Sequence, residues 1–366
     1  MLSIEKSKIN SSIELLRKAA SGRDLDADKA GKIKDLLDRD QEELEDLLSL
    51  SLYKELDADK DEMLSEHYEN MSGFRERLFE TWKVPLKRLD SLLYLGMEVV
   101  GEFRRDNVRN PKAKSNKFNV ATRLLARCVQ VGNEISHLLH GGYADGAFAR
   151  WRTLHETSAT TKFICEGGED LATRFIDFQN ILRLDTATKY NKYNELEFES
   201  FSPEILAQLE VEKKAILGKY EQHFEKKFGW ARKALGDKVN HKDNLSFTNI
   251  EEFVGLGFLR NHFGFASQYV HAGVDSIGFK LGTSMSNRDV LLTGPSNEGF
   301  IEPIQCTSLS LVYAIAALIS AYSNDASPLK VAVLWRWHDV LKEEVLAASS
   351  ALQAKADALR NSIDVK

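Results

Sequence analysis

The segment Tyr143–Cys165, YADGAFARWRTLHETSATTKFIC, constrains the fold of this chain more than any other stretch. It reads as one helix whose surface is mostly Ala, Ser and Thr, with no single apolar stripe to lay on a core. A helix that thin on every side belongs in a crowd of other helices. Yet Arg150, Arg152, His155 and Glu156 fall within two turns of it. Charged groups in an enclosed place must be paired or used, so the segment points to a multi-helix bundle and to a site within it.

The rest of the chain agrees with an all-α fold. Helical periodicity runs through almost every long segment, and only six prolines interrupt 366 residues. Helices are expected over Ile4–Ala20, Ala30–Leu56 and Met63–Trp82, and one opens at Pro85. After a basic, polar break at Arg104–Lys117 they recur at Phe118–His140, Tyr143–Cys165, Asp170–Asn194, Glu204–Phe228 and Ile250–His271. The glycine pairs Gly141-Gly142 and Gly167-Gly168 supply stops. The exception is 274–301, where short apolar runs between turn residues read as a small β-hairpin or an ordered loop. Three regions follow: an acidic helical region over 1–110, a central bundle over 118–325, and a long last helix over 326–366. In that helix Val345, Leu352 and Leu359 recur every seven residues, which suits packing on its own domain.

Composition narrows the class. With 43% hydrophobic and 28% charged residues, the chain has the make-up of a globular protein. A net charge of -6 argues against a protein that coats nucleic acid indiscriminately, while leaving room for a local basic patch. Cys128, Cys165 and Cys306 are odd in number and form no CxxC, which disfavours a disulfide framework and a thiolate zinc site. The first residues lack an apolar core of signal-peptide length, so a cytoplasmic location is expected. The uncharged run Pro303–Asn324 approaches a membrane-spanning length but is diluted by Gln305, Ser308, Ser310, Ser320 and Tyr322. A buried core helix is the better reading, and no membrane is expected.

Several constellations carry chemistry. Arg152 and Glu156 share a helix face, with the basic residue first, the order that supports a helix poorly. They are either a buried ion pair or a ligand-contacting pair. Arg150 and His155 have the R-x4-H spacing of the ribonuclease signature of the HEPN superfamily, with Trp151 where that signature prefers a polar residue. Imidazole can move a proton there and guanidinium can hold a phosphate. Glu134, His137 and His140 form E-x-x-H-x-x-H, but a di-iron centre needs a second such motif, which is missing; no metal or cofactor is expected. Ser267 and His271 lie one turn apart without an acid to orient the histidine. His271, ending its helix, is expected to point at the Arg152/Glu156 surface. Asp57, Asp59 and Asp61 start like a calcium loop, but Glu62 and Tyr68 stand where it needs Gly and Glu. There is no GxGxxG and no P-loop.

Taken in order, Gly142-Tyr143, Arg152…Glu156, Ser267…His271 and Gly294-Pro295-Ser296 resemble the pattern of the prokaryotic "domain of unknown function 5677" family. The resemblance spans about Phe118–Tyr322. It implies a helical, bacterial protein akin to the HEPN-like domains of toxin and phage-defence systems, and no settled activity. The resulting expectation is a stress or phage-defence protein that binds a ligand or partner in a polar pocket of Arg152, Glu156, Ser267 and His271. The enzyme alternative is a metal-independent ribonuclease using Arg150 and His155, with Arg104, Arg105, Lys112, Lys114 and Lys117 steering RNA. A third is a scaffold whose charges only lock the bundle. A homodimer, RNA and a protein partner are all compatible with the sequence.

Overall fold

The computed structural model describes residues 41–109, 115–236, 244–270, 291–322 and 327–363. The chain divides into two compact units, residues 1–74 and 75–366. Ten α-helices occur among the described residues, and no strand. The first, α1 (Gln41–Arg109), runs through the unit boundary and carries Pro85 inside it. The sequence places a helix start there instead. A proline inside a helix costs about 3 kcal/mol. Leu78, Trp82, Leu86, Leu89, Leu92 and Leu93, all buried, flank that position and offset it. In the first unit, the described part of α1 leaves Leu50, Tyr53, Leu56, Met63 and Tyr68 exposed.

The second unit is built around α2 (Asn116–His140), α3 (Ala144–Glu166) and α9 (Ile301–Tyr322). The thin helix is enclosed as its composition requires: Ala147, Trp151, Leu154, Ser158, Ala159, Thr161 and Phe163 are fully buried. It packs on α2 and α9 along its length and meets α7 and α8 near its middle. The apolar helix α9 is long enough to cross a membrane, but it lies in the core, with Ile304, Leu311, Val312, Ile315 and Leu318 inaccessible. The last helix, α10 (Ser327–Ile363), packs on α9. It is tied to α1 by Arg88 and Glu344, and by the Trp337 indole donating to Arg88 O at 3.1 Å. Val345 of the seven-residue repeat is buried inside its own unit.

The start of α2 is capped twice. Ser115 Oγ accepts from Phe118 N, and the Glu169 carboxylate takes the backbone N–H groups of Asn116 and Lys117. Glu169 opens α4 (Glu169–Lys192), so this contact fixes where the two helices meet. α5 (Pro203–Lys219) returns along α4. It ends at Lys219, short of the expected Phe228, and a 3-10 turn (Gly229–Ala231) and α6 (Arg232–Leu235) follow.

The largest departure is at 250–271. Where the sequence reads as one helix, the chain forms α7 (Phe247–Phe253), a 3-10 turn (Gly257–Leu259) and α8 (Arg260–Gln268). The break is at Gly255, whose φ of 74° is open to glycine at little cost. Most of the hairpin or loop expected over 274–301 lies outside the described residues. Its described end, 291–300, holds turns and no strand. Ser296 N donates to Gly142 O at 2.9 Å, and the Trp82 indole donates to Asn297 O at 3.1 Å. The Gly-Pro-Ser loop is therefore latched onto the α2–α3 turn.

Candidate functional site

The bend at Gly255 creates the site. As one straight helix, Glu251 and Arg260 would stand nine residues apart on opposite faces. Folded back, α7 and α8 aim both at α3. There His155 Nε2 meets Glu251 Oε1 at 2.6 Å, and both side chains have no exposed surface. The other carboxylate oxygen, Oε2, is ion-paired with Arg260 Nη2. Arg152, one turn before Glu156 on α3, stacks its guanidinium over Phe263 at 4.6 Å, and Arg260 lies over the same ring at 4.9 Å. Two cations thus flank one phenyl ring. Aromatic neighbours wall the histidine: Trp151 stacks on it at 5.1 Å, and Phe247 and Phe263 stand at 5.7 and 5.9 Å.

The electrostatics follow from this packing. Burial, with Arg260 beside it, pulls His155 down to about 4, against the smaller raising effect of Glu156. The ring is neutral near pH 7, so Nε2 carries the proton and donates to Glu251. Nδ1 then presents a lone pair with no hydrogen-bond partner. Burial also lowers Arg260, Glu156 raises it, and Arg152 lowers it again. Arg152 Nε and Arg260 Nε are buried donors without a hydrogen bond, while Arg260 Nη2 faces Glu251. An unmade bond to a buried charged donor costs about 1–3 kcal/mol.

The structure treats the other candidate residues differently. Arg150 bonds Glu134 on α2 and Thr153 Oγ1, so it does not join His155. Glu156 is exposed, and no ion pair links it to Arg152. Ser267 Oγ donates to Phe263 O one turn back along its own helix, at 2.8 Å. His271 lies outside the described residues, as do Lys112 and Lys114. Arg104 and Arg105 are exposed near the end of α1, and Lys117 sits over the Tyr322 ring at 5.9 Å. His140 pairs with Asp90 at 2.9 Å, while Glu134 is held by Arg150 and Arg127. Among the described residues no three His, Cys, Asp or Glu side chains stand together as a metal site would need.

Glu251 and Arg260 are the residues that sequence reasoning missed as partners of His155. The available signal was Val254-Gly255-Leu256-Gly257, two glycines in a helical pattern, which marks a break.

Fold and site together define an all-helical bundle with a buried ionic corner between three of its helices. Residues 118–288 match the model of a family of unknown function, DUF5677, in support of the resemblance read from the sequence. The match takes in every residue of the corner. The chain matches none of the curated proteins and none of the solved structures.

Proposed function

We propose that the chain binds an anionic ligand, one bearing a phosphate or carboxylate group, at the corner formed by Arg152 and Arg260. The observation that carries this reading is the set of buried guanidinium N–H groups without hydrogen bonds, beside a single buried carboxylate. Arg260 pairs with the one enclosed carboxylate, Glu251, while the nearby carboxylate Glu156 is solvated. An oxyanion accepting from both guanidinium groups would supply the missing bonds and relieve their mutual repulsion. The setting this suits is that expected from the sequence, a cytoplasmic bacterial protein of stress or phage defence. The ribonuclease reading has less support, because Arg150 is occupied by Glu134 and His155 is sealed under Trp151 and Phe263.

The test is thermal unfolding of the full chain with inorganic phosphate, pyrophosphate or citrate. At one hundred times the dissociation constant, binding stabilises by about 2.7 kcal/mol. The rise in midpoint should vanish in Arg152→Gln and in Arg260→Gln. A midpoint unmoved by all three anions, or moved equally in both variants, overturns the proposal and leaves the corner a structural lock.

A further inference from the structure

At the far end of α3 from the ionic corner, its last turn borders a cleft of about 420 Å³. The cleft begins at Lys162, ten residues and about 15 Å along the helix from Arg152. Its origin is local. α3 and α10 both pack on α9 but scarcely on each other, which leaves a trough between them with α9 as its floor. There α9 presents Ala316, Ala317, Ser320 and Ala321, which share one side of the helix at spacings of three and four residues. The other side of the same helix carries Leu311, Ile315, Leu318 and Ile319, which fill the core. Small residues on the trough side leave room for a ring-sized ligand, and the volume lies in the range of small-molecule sites.

The lining defines what fits. Tyr313 of α9 and Trp335 of α10 meet edge to face at 5.0 Å, an aromatic corner against which a further ring can pack. Cys165 lines the α3 side. Burial pushes its thiol up to about 12, so near pH 7 it is an uncharged contact and not a nucleophile. The polar groups are mostly donors: the Lys162 ammonium, the Tyr313 and Ser320 hydroxyls and the Trp335 indole N–H. Burial raises Tyr313, so its hydroxyl keeps its proton. Glu166 is the one carboxylate among the lining residues, and it is ion-paired with Lys162. Within that pair the lysine side chain is the more enclosed, 21% exposed against 43% for Glu166. An incoming oxyanion can therefore take the ammonium while Glu166 falls back on water. An incoming cation would first have to part Glu166 from Lys162.

We infer that this cleft binds a small aromatic carboxylic acid, its ring against Tyr313 and Trp335 and its carboxylate on Lys162. Titration calorimetry of the full chain tests this with three probes of similar shape: indole-3-acetate, its neutral amide and tryptamine. The acid should bind at least about tenfold more tightly than the amide, and the amine more weakly than either. Lys162→Gln should bring the acid down to the level of the amide. Ala317→Phe, which puts a ring into the trough, should weaken the acid at least about tenfold. Ser320→Tyr, at an exposed position, should do the same and covers the case in which the first filling variant does not fold. No binding of indole-3-acetate, an amide or amine that binds as well as the acid, a preference that survives Lys162→Gln, or affinity that persists in the folded filling variants overturns the inference. Phosphate stabilisation reads the corner of Arg152 and Arg260 separately, and the two sites stand or fall independently.

Discussion

Two arginine corners of the same bundle are built on opposite terms. On α4, Arg174 is 3% exposed and fully engaged. Its Nε donates to Trp230 O at 3.2 Å, its Nη2 pairs with Glu221, and its plane covers Tyr220 and Phe224 at 4.8 and 5.1 Å. Burial is the largest single influence and pushes Glu221 up, but the bond and charge of Arg174, a backbone bond and the charge of Lys233 together hold that carboxyl below its usual range. On α3 and α8, Arg152 and Arg260 have the aromatic contact and Arg260 has Glu251, but the buried Nε of each has no hydrogen bond. Where an arginine only has to hold helices together, this protein satisfies it. Where it leaves guanidinium N–H groups bare under aromatic cover, the proposed anion would supply the acceptor.

The largest effect that follows is at the satisfied corner. Arg174→Met should cost about 3 kcal/mol in urea unfolding, because it leaves the Trp230 carbonyl without its donor and removes the cation covering Tyr220 and Phe224, while the exposed Glu221 falls back on water. A loss under about 1 kcal/mol would show that the paired corner is not a structural lock, and the contrast would collapse.

The middle effect reads the acidity of the other corner. His155 is at about 4 in the fold and near 6.5 when unfolded, so the unfolded chain binds the proton more readily. The stability tied to the neutral ring is complete above about pH 6.5 and drains away as pH falls toward 4. About 2 kcal/mol should be lost between pH 8 and pH 5 through this group. His155→Gln keeps a donor to Glu251 without a titrating ring, and its stability should fall less over the same interval. Parallel pH profiles for the two proteins would remove the neutral, buried histidine from the account.

How much of this was legible in the sequence depends on the range of the interaction. The enclosure of α3 followed from its small residues, and the burial of α9 from its diluted apolar run, because both are properties of one helix. The family resemblance, read from four short elements, is confirmed over residues 118–288. The hydrogen bond from Ser296 to Gly142 O shows two of those elements touching. The ionic corner was half legible. Arg152 and His155 stand out on their own helix, but their partners depend on a bend at Gly255 that periodicity alone reads through. Arg150 misled for the same reason: spacing along α3 cannot reveal that Glu134, on the neighbouring helix, claims it.

The smallest expected effect is the sharpest test of the contrast. Arg152→Met removes a cation–π contact worth about 0.5–1 kcal/mol. It also removes a buried Nε without a partner and a like charge that depresses Arg260, both of which act in the opposite direction. The long apolar stem that packs on Phe263 is largely retained. The net change in the absence of ligand should therefore lie within about 0.5 kcal/mol of zero, measured in urea alongside Arg174→Met. A loss approaching that of Arg174→Met would mean that Arg152 is a paired, load-carrying arginine after all, and the bare corner would be no different from the satisfied one. A near-neutral result combined with lost phosphate stabilisation separates them: one arginine kept for the fold, the other for what the fold binds.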